Sequence, residues 1–139
     1  MKQYNAKNIL NIALAGHGGA GKTSIIESML YLSGASDRLG KIADGNTICD
    51  FDPEEVKRKA SVSTAVAPVE WKNKKLNFID TPGLFDFEGG LWEGVRAADT
   101  VMIAVSGKNG VSVGTEKAVK AAESRCLLYT SDAADDLIG

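Results

Sequence analysis

Residues 16–23 carry the pattern that most constrains the fold of this chain. They match G-x-x-x-x-G-K-[ST] at every fixed position, as Gly16, His17, Gly18, Gly19, Ala20, Gly21, Lys22 and Thr23. A short apolar run precedes them, and from residue 22 to about residue 32 apolar side chains recur at three- and four-residue spacing. A buried strand is therefore predicted before the pattern and a helix after it, which is typical of a phosphate-binding loop and not of an incidental glycine-rich turn.

The chemistry of phosphate binding accounts for each part of this pattern. Glycines let successive backbone N–H groups converge on phosphate oxygens, and the helix start, including Ser24, adds partial positive charge. We expect Lys22 to contact the outer phosphates and to assist catalysis, and the Thr23 hydroxyl to bind Mg²⁺. His17 is the only histidine. We expect it to fill space beside the loop, with a catalytic role as the alternative.

A second motif, Asp80-Thr81-Pro82-Gly83, ends a strand predicted at residues 75–80. A carboxylate at that end of a strand faces the crevice where parallel sheets bind ligands. We expect Asp80 to hold Mg²⁺ through water, and the Gly83 N–H to approach the γ-phosphate and act in catalysis. Alone, this motif is a common turn. Following a phosphate-binding loop, it indicates a GTPase.

The order of predicted elements favours an α/β fold with a mostly parallel sheet, as in a P-loop NTPase or G domain. Strands are predicted at 8–15, 62–71, 75–80 and 100–106, and helices at 22–32, 91–97 and 115–124. Pro68 lacks a donor N–H and favours an edge position for its strand. The long polar stretch at 35–59 is predicted to be functional or mobile. The loop between the two motifs is predicted to supply a second hydroxyl ligand for Mg²⁺.

Composition narrows the class of protein. With 44% hydrophobic and 24% charged residues, the chain is typical of a globular domain and not of a disordered one. A net charge of −2 gives no basis for direct DNA binding. Cys49 and Cys126 form no metal-binding spacing, and the apolar run near the start is too short for a signal peptide or membrane span. We expect a cytoplasmic protein without membrane contact.

Residues 9 to about 125 resemble the start of the elongation factor G family. The likeness is carried by segments 28–36, 40–52 and 80–87. It implies a translational GTPase that binds GTP and GDP, hydrolyses GTP with Mg²⁺, and acts on the ribosome in translocation or recycling. Two alternatives remain. One is a GTP-binding switch with little intrinsic hydrolysis, and the other is a P-loop ATPase of another branch.

The resemblance also implies the position of the switch hydroxyl. In the family a threonine within Arg-Gly-Ile-Thr-Ile binds Mg²⁺, and the matching segment here runs from Arg58 to Val62. Ser61 therefore inherits that role. Because neighbouring positions differ from the family pattern, Ser63 and Thr64 remain alternatives.

Two positions depart from the family pattern. Leu84 stands where the family has a histidine that orients the attacking water, and leucine has neither a donor nor an acceptor. Gly19 replaces an aspartate that is common in the family's phosphate loop. The departures indicate a divergent paralogue, in which hydrolysis is slow or another group orients the water.

Residues 126–139 resemble the conceptual translation of a transposase adaptor used in sequencing libraries. We expect residues 1–125 to be part of a G domain, incomplete at its C-terminus, and residues 126–139 to be non-native read-through. A natural acidic tail is the alternative.

The motif Asn-Lys-x-Asp, with which GTPases recognise guanine, does not occur in the sequence. We therefore expect residues 1–139 alone to be inactive, to bind nucleotide weakly, and to leave strand 100–106 as an unpaired, aggregation-prone edge.

Overall fold

The computed structural model describes residues 2–125 and 128–133. Its helices and strands follow the predicted order, with strand β1 and helix α1 flanking the phosphate-binding pattern. In chain order they are β1 (Ile9–Gly16), α1 (Lys22–Leu32), α2 (Pro53–Arg58), β2 (Ala65–Trp71), β3 (Lys74–Asp80), α3 (Glu88–Ala97), β4 (Thr100–Val105), α4 (Val113–Ser124) and β5 (Leu128–Ala133). Three short 3₁₀ turns lie at Ala6–Asn8, Ile42–Asp44 and Phe85–Phe87.

Within the described residues the strands form one five-stranded sheet in the order β2-β3-β1-β4-β5. The central strand β1 is parallel to both β3 and β4. Strand β2 is antiparallel to β3, and β5 is parallel to β4. The predicted α/β fold with a mostly parallel sheet is confirmed.

Helices cover both faces of the sheet, which explains why β1 is apolar without alternation. Ala13 packs in one apolar cluster with Val95 of α3 and Ala118 of α4. Its neighbour Leu14 points to the opposite face and packs in a second cluster with Ile26 of α1. Successive residues of a strand face opposite sides, so residues 13–15, which are buried on both sides, are all apolar. The phosphate-binding loop therefore starts at the buried C-terminal end of β1, which sets its position in the fold.

The hairpin agrees with its prediction. In the described part of the sheet β2 is an edge strand, and Pro68 lies opposite Asn77 of β3. Lys72 and Asn73 form the turn with positive φ angles of 48° and 62°. Two consecutive left-handed residues give the turn a twist that matches the twist of the flanking strands.

Two expectations differ from the structure. The predicted unpaired edge at strand 100–106 is wrong, because β5 lies alongside β4 and parallel strands satisfy each other's backbone groups. The polar stretch at 35–59 is partly helical, because Asp52 caps α2 and accepts a hydrogen bond from the Glu54 N–H at 2.8 Å, with Pro53 at the first helical position. Aspartate followed by proline and two glutamates favours a helix start.

We expect Gly94→Ala to destabilise the chain. A Cβ at Gly94 would lie 2.4 Å from Thr81 Cγ2 and 3.3 Å from Ile79 Cγ2. Overpacking of this kind costs about 1–3 kcal/mol, which outweighs the gain of about 1 kcal/mol from alanine's helix propensity. Urea unfolding should therefore show a lower midpoint.

Gly89→Ala in the same helix is the matched control. A Cβ at Gly89 meets nothing within 4 Å, so this change should leave the midpoint unchanged or raise it. Equal effects of the two substitutions would contradict close packing between α3 and Thr81.

Candidate phosphate and magnesium site

The phosphate-binding pattern forms a tight loop between β1 and α1. Gly21 is the N-cap of α1 and has a φ of 91°, a left-handed conformation that glycine adopts without strain. The first backbone bond of the helix runs from the Ile25 N–H to the Gly21 carbonyl at 2.9 Å. The N–H groups of Lys22, Thr23 and Ser24 lie in the first turn, where an α-helix offers no acceptor. They are donors suited to an anion.

Lys22 folds back across this loop. Its Nζ donates to the Gly16 carbonyl at 3.3 Å and to the His17 carbonyl at 3.1 Å. The side chain is buried. Burial lowers the pKa of Lys22, while the nearby carboxylates of Asp80 and Asp50 oppose that shift. The ammonium therefore lies inside the loop, beside the two acidic side chains.

Asp80 is brought to the loop by strand pairing. Asp80 is the last residue of β3 and lies beside Leu14 of β1. The Thr23 hydroxyl donates to Asp80 Oδ2 at 2.6 Å, although the two residues are far apart in sequence. Burial raises the pKa of Asp80 to about 6, against the lowering effects of Thr23 and Lys22. Asp80 is thus an almost fully enclosed carboxylate, in contact with the start of α1.

The segment between α1 and β2, residues 33–64, supplies two further groups and is called the polar segment below. Ser61 Oγ lies 3.2 Å from Thr23 Oγ1 and donates to Asp50 Oδ1 at 2.6 Å. Asp50 is buried, and this burial raises its pKa, an effect that the Ser61 hydrogen bond partly offsets. Of the three hydroxyls proposed for the switch position, the structure places Ser61 next to Thr23. Thr64 instead donates to the Gly90 carbonyl at 2.9 Å, and Ser63 is exposed.

Asp50 is the site residue that sequence reasoning missed. It lies in a polar stretch with several acidic residues, and no spacing distinguishes it from Asp44 or Asp52. Only the folding of the segment over α1 brings it to Ser61. A search for acidic residues upstream of the switch hydroxyl would have raised it as one of several candidates.

These groups fit a hard divalent cation. Thr23 and Ser61 each have one hydroxyl proton, and each donates it to a carboxylate, so the two oxygens face each other with lone pairs. Within residues 2–125 and 128–133, Asp50 Oδ2 and Asp80 Oδ1 are buried and have no hydrogen-bond partner. Unpaired buried carboxylate oxygens are costly unless a proton or a cation meets them.

The donor set also matches what Mg²⁺ uses when it binds with a nucleotide. In the described part of the chain no three His, Cys, Asp or Glu side chains converge on one point, so a site made by the protein alone is not present there. Mg²⁺ commonly uses one or two carboxylates together with phosphate oxygens and water. Two hydroxyls and two carboxylates are therefore a donor set of the kind that a protein contributes beside bound phosphate and water.

Gly83 packs directly on the phosphate loop. Its carbonyl accepts a hydrogen bond from the Gly18 N–H at 3.1 Å. A Cβ at Gly83 would lie 2.5 Å from Lys22 Nζ and 2.6 Å from the Gly18 nitrogen, so no other residue fits without displacing the loop. Leu84 follows, and its Cδ2 would lie 3.0 Å from a Cβ built at Gly18. Leu84, which differs from the family pattern, therefore lies against the phosphate loop beside Gly18.

One pocket joins the three segments. Its lining comes from the phosphate loop, the polar segment and the second motif, namely Gly18, Gly19, Gly21, Lys22, Thr23, Ile42, Asp50, Lys59, Ala60, Ser61, Gly83 and Leu84. His17 is turned away from this group, and its Nδ1 accepts a hydrogen bond from the Gly114 N–H at 3.2 Å. The imidazole thereby connects the loop to the start of α4, which agrees with a packing role.

The comparisons with known proteins agree with this geometry. Residues 7–128 match the family model described as "Elongation factor Tu GTP binding domain". The chain is 39% identical over 108 residues to an "Elongation factor G-like protein" of Mycobacterium tuberculosis, covering 78% of this chain and 15% of that protein. It is 39% identical over 114 residues to a mitochondrial "Ribosome-releasing factor 2" of Scheffersomyces stipitis, covering 82% of this chain and 14% of that protein.

A solved structure gives the same result for the fold. A crystal structure of a Thermus thermophilus protein superposes with a TM-score of 0.85 at 38% identity, over 88% of this chain and 19% of that one. In the part of the chain that the structure describes, no helix is both long and apolar enough to cross a membrane. The chain belongs to the elongation factor Tu GTP-binding domain family, and over most of its length it is similar to elongation factor G-like proteins.

Proposed function

We propose that this chain is the phosphate- and magnesium-binding part of a longer GTPase that acts on the ribosome in translocation or recycling. The chain spans about 15% of the length of the curated relatives it matches, so the movements coupled to GTP belong to other parts of the protein. We assign residues 1–125 to a partial G domain and residues 126–139 to non-native sequence. Such a protein would work in the cytoplasm, where the ribosomes are.

One observation carries this proposal. Lys22, Thr23 and Asp80 come from two separate sequence motifs, yet the Thr23 hydroxyl lies 2.6 Å from Asp80 while Lys22 closes the same loop. A structural role alone would not require a buried carboxylate with one oxygen unpartnered among the described residues. A metal-bound triphosphate supplies both the cation and the anion that these groups lack.

Roles follow from chemistry for each residue of the proposed site. Residues 16–24 would surround the phosphates, with the N–H groups of Lys22, Thr23 and Ser24 donating to phosphate oxygens, and Lys22 Nζ would neutralise charge that develops on the outer phosphates. Thr23 and Ser61 would contact Mg²⁺ through their hydroxyls, and Asp80 and Asp50 through carboxylate oxygens or water. When bound, Mg²⁺ neutralises phosphate charge in the transition state of phosphoryl transfer. Gly83 keeps the second motif close enough for its backbone to contact the γ-phosphate.

Leu84 supports a second candidate function, a GTP-binding switch with little intrinsic hydrolysis. Its side chain lines the pocket but cannot orient water by hydrogen bonding. The match to a GTP-binding domain family counts against the third candidate, an ATPase of another branch. Guanine selectivity itself would be tested by competition between ATP and GTP in the full-length protein.

Phosphate release separates the enzyme from the switch. We expect the full-length protein to release phosphate from GTP slowly alone and at least tenfold faster with ribosomes, because a bound partner can supply the orienting group that Leu84 lacks. Release should require Mg²⁺ and stop when EDTA is added. If ribosomes leave release at the protein-free background while GTP still binds tightly, the switch function is correct and the enzyme function is wrong.

The boundary of the native sequence has its own test. The family match ends at residue 128, close to the proposed boundary at Arg125. We expect genomic DNA to diverge from this chain just after the codon for Arg125 and to continue into Asn-Lys-x-Asp. Genomic sequence that encodes residues 126–139 unchanged would contradict the assignment of a non-native tail.

A further inference from the structure

Two buried carboxylates have no part in the site as described so far. Glu27 on α1 is 1% exposed and Glu55 on α2 is 2% exposed. Among the described residues the ion pairs are Arg58 with Glu54 and Lys117 with Glu88, so neither buried carboxylate is neutralised by a basic side chain there. Buried carboxylates without a cationic partner need another reason to be inside.

Glu27 accepts hydrogen bonds from two backbone positions of the polar segment, Gly40 and Ile48. Its Oε2 accepts a hydrogen bond from the Gly40 N–H at 3.2 Å, and its Oε1 accepts a short one from the Ile48 N–H. Glu27 lies four residues after Thr23, so both side chains project from the same face of α1. The helix that carries a phosphate-site hydroxyl therefore also holds residues 40–48.

Glu55 also accepts hydrogen bonds from backbone N–H groups, near the C-terminal end of the polar segment. Its Oε1 accepts from the Val62 N–H at 3.1 Å and from the Ser63 N–H at 3.0 Å. Its Oε2 accepts from the Asp52 N–H at 3.4 Å, which also closes the cap of α2. One carboxylate thus binds the chain on both sides of α2.

Two of these bonds end close in sequence to Asp50 and Ser61, which are hydrogen-bonded to each other beside Thr23. Ile48 precedes Asp50 by two residues, and Val62 directly follows Ser61. We propose that Glu27 and Glu55 are positioning residues that hold the polar segment closed, so that Asp50 and Ser61 are presented together to the metal side of the nucleotide site. This inference rests on the proposed GTP-binding function.

The same arrangement makes closure depend on a cation. Closing the segment brings the carboxylates of Glu27, Glu55, Asp50 and Asp80 into one region, where Lys22 is the nearby positive charge. Like charges in a buried region repel strongly, so the closed state gains from a divalent cation. By reciprocity, substitutions that open the segment must weaken Mg²⁺ binding.

The test uses the full-length protein and trypsin. Lys41, Lys57, Arg58 and Lys59 are exposed in the segment and provide cleavage sites. We expect Mg²⁺ with a non-hydrolysable GTP analogue to slow cleavage of the wild type. Glu27→Gln keeps the shape but offers one acceptor where two are needed, and its amide N–H groups oppose the backbone donor.

For Glu27→Gln we expect cleavage in the GTP-analogue state to rise about tenfold, and the Mg²⁺ concentration for half-maximal protection to rise by a similar factor. GDP affinity should change less than twofold, because the phosphate loop is untouched. Loss of folding alone would lower GDP and GTP affinity together. Glu55→Gln tests the other end independently if Glu27→Gln does not fold.

Glu54→Gln is the control, because it removes the same charge as both variants and lies beside Glu55 in α2. Glu54 pairs with Arg58 at 2.6 Å on the surface and contacts neither Gly40 nor Ile48. Protection should remain at the wild-type level in this variant. Wild-type protection in folded Glu27→Gln and Glu55→Gln would overturn the positioning role, with GTP binding intact. Wild-type protein that binds no GTP would instead overturn the proposed function on which it rests.

Discussion

Lys22→Ala is expected to weaken GTP binding by the full-length protein about 100-fold or more. The Lys22 ammonium is buried in the loop, and its carbonyl partners Gly16 and His17 hold it where phosphate would bind. A hydrogen bond between charged groups contributes about 1.5–3 kcal/mol, and two such bonds to phosphate give about 3–6 kcal/mol. Each 1.4 kcal/mol corresponds to a factor of ten in affinity.

Equilibrium binding of a fluorescent GTP analogue measures this loss. Lys108→Ala is the control, because it removes the same charge from an exposed position after β4. It should leave affinity within about twofold, since exposed charges far from a ligand are screened by salt. If Lys22→Ala binds GTP as the wild type does, the loop does not bind the outer phosphates and the proposed site is wrong.

Leu84→His is expected to raise the maximal rate of GTP hydrolysis with ribosomes by about 100-fold, the lower end of the effect of a positioned acid–base group. Leu84 is 38% exposed and lines the pocket beside Gly18, so an imidazole at this position can reach a water at the γ-phosphate side. The gain should appear in kcat and not in the affinity for GTP, because the substituted group acts on water.

Two further substitutions separate hydrogen bonding from space. Leu84→Gln can also orient water and should give part of the gain, whereas Leu84→Ala opens the same space without a donor or acceptor. We expect Leu84→Ala to remain near the wild-type rate. A gain in Leu84→Ala equal to that in Leu84→His would show that leucine blocks access, and the water-orienting explanation would be wrong.

The strength of the sequence patterns explains which parts of the fold could be predicted. The strand before the loop and helix α1 were predictable because β1 is apolar at successive positions and α1 has helical spacing after three closely placed glycines. The antiparallel hairpin was predictable from Pro68 and the turn at Lys72 and Asn73. Elements with one strong local signal were therefore assigned correctly.

The structure of the polar segment was harder to predict from the sequence. Its sequence patterns are local, whereas its hydrogen bonds join residues that are far apart in the chain. The Asp52-Pro53 helix start was present in the sequence, yet α2 is short, and Glu55 joins it to residues 62 and 63 through hydrogen bonds. Such bonds join groups that no periodicity connects. The roles of Glu27 and Asp50 were hidden for the same reason.

The pairing of β4 shows a different limit. Neighbours in a parallel sheet are set by chain crossovers and not by adjacent sequence, so composition did not indicate that Leu128–Ala133 would lie beside Thr100–Val105. The expectation of an exposed edge assumed that the last residues form no strand. In the structure they pair with β4 throughout its length.

The sequence by itself determined the chemistry of the site, because Gly16 to Thr23 and Asp80 to Gly83 are short motifs whose backbone requirements are local. Only the tertiary structure decided which polar group of the long segment joins them. Ser61 contacts both Asp50 and Thr23, while Glu27 and Glu55 bind the backbone of the same segment. A hydrogen bond between distant residues depends on the path of the whole chain, and that path is set by burial and strand order.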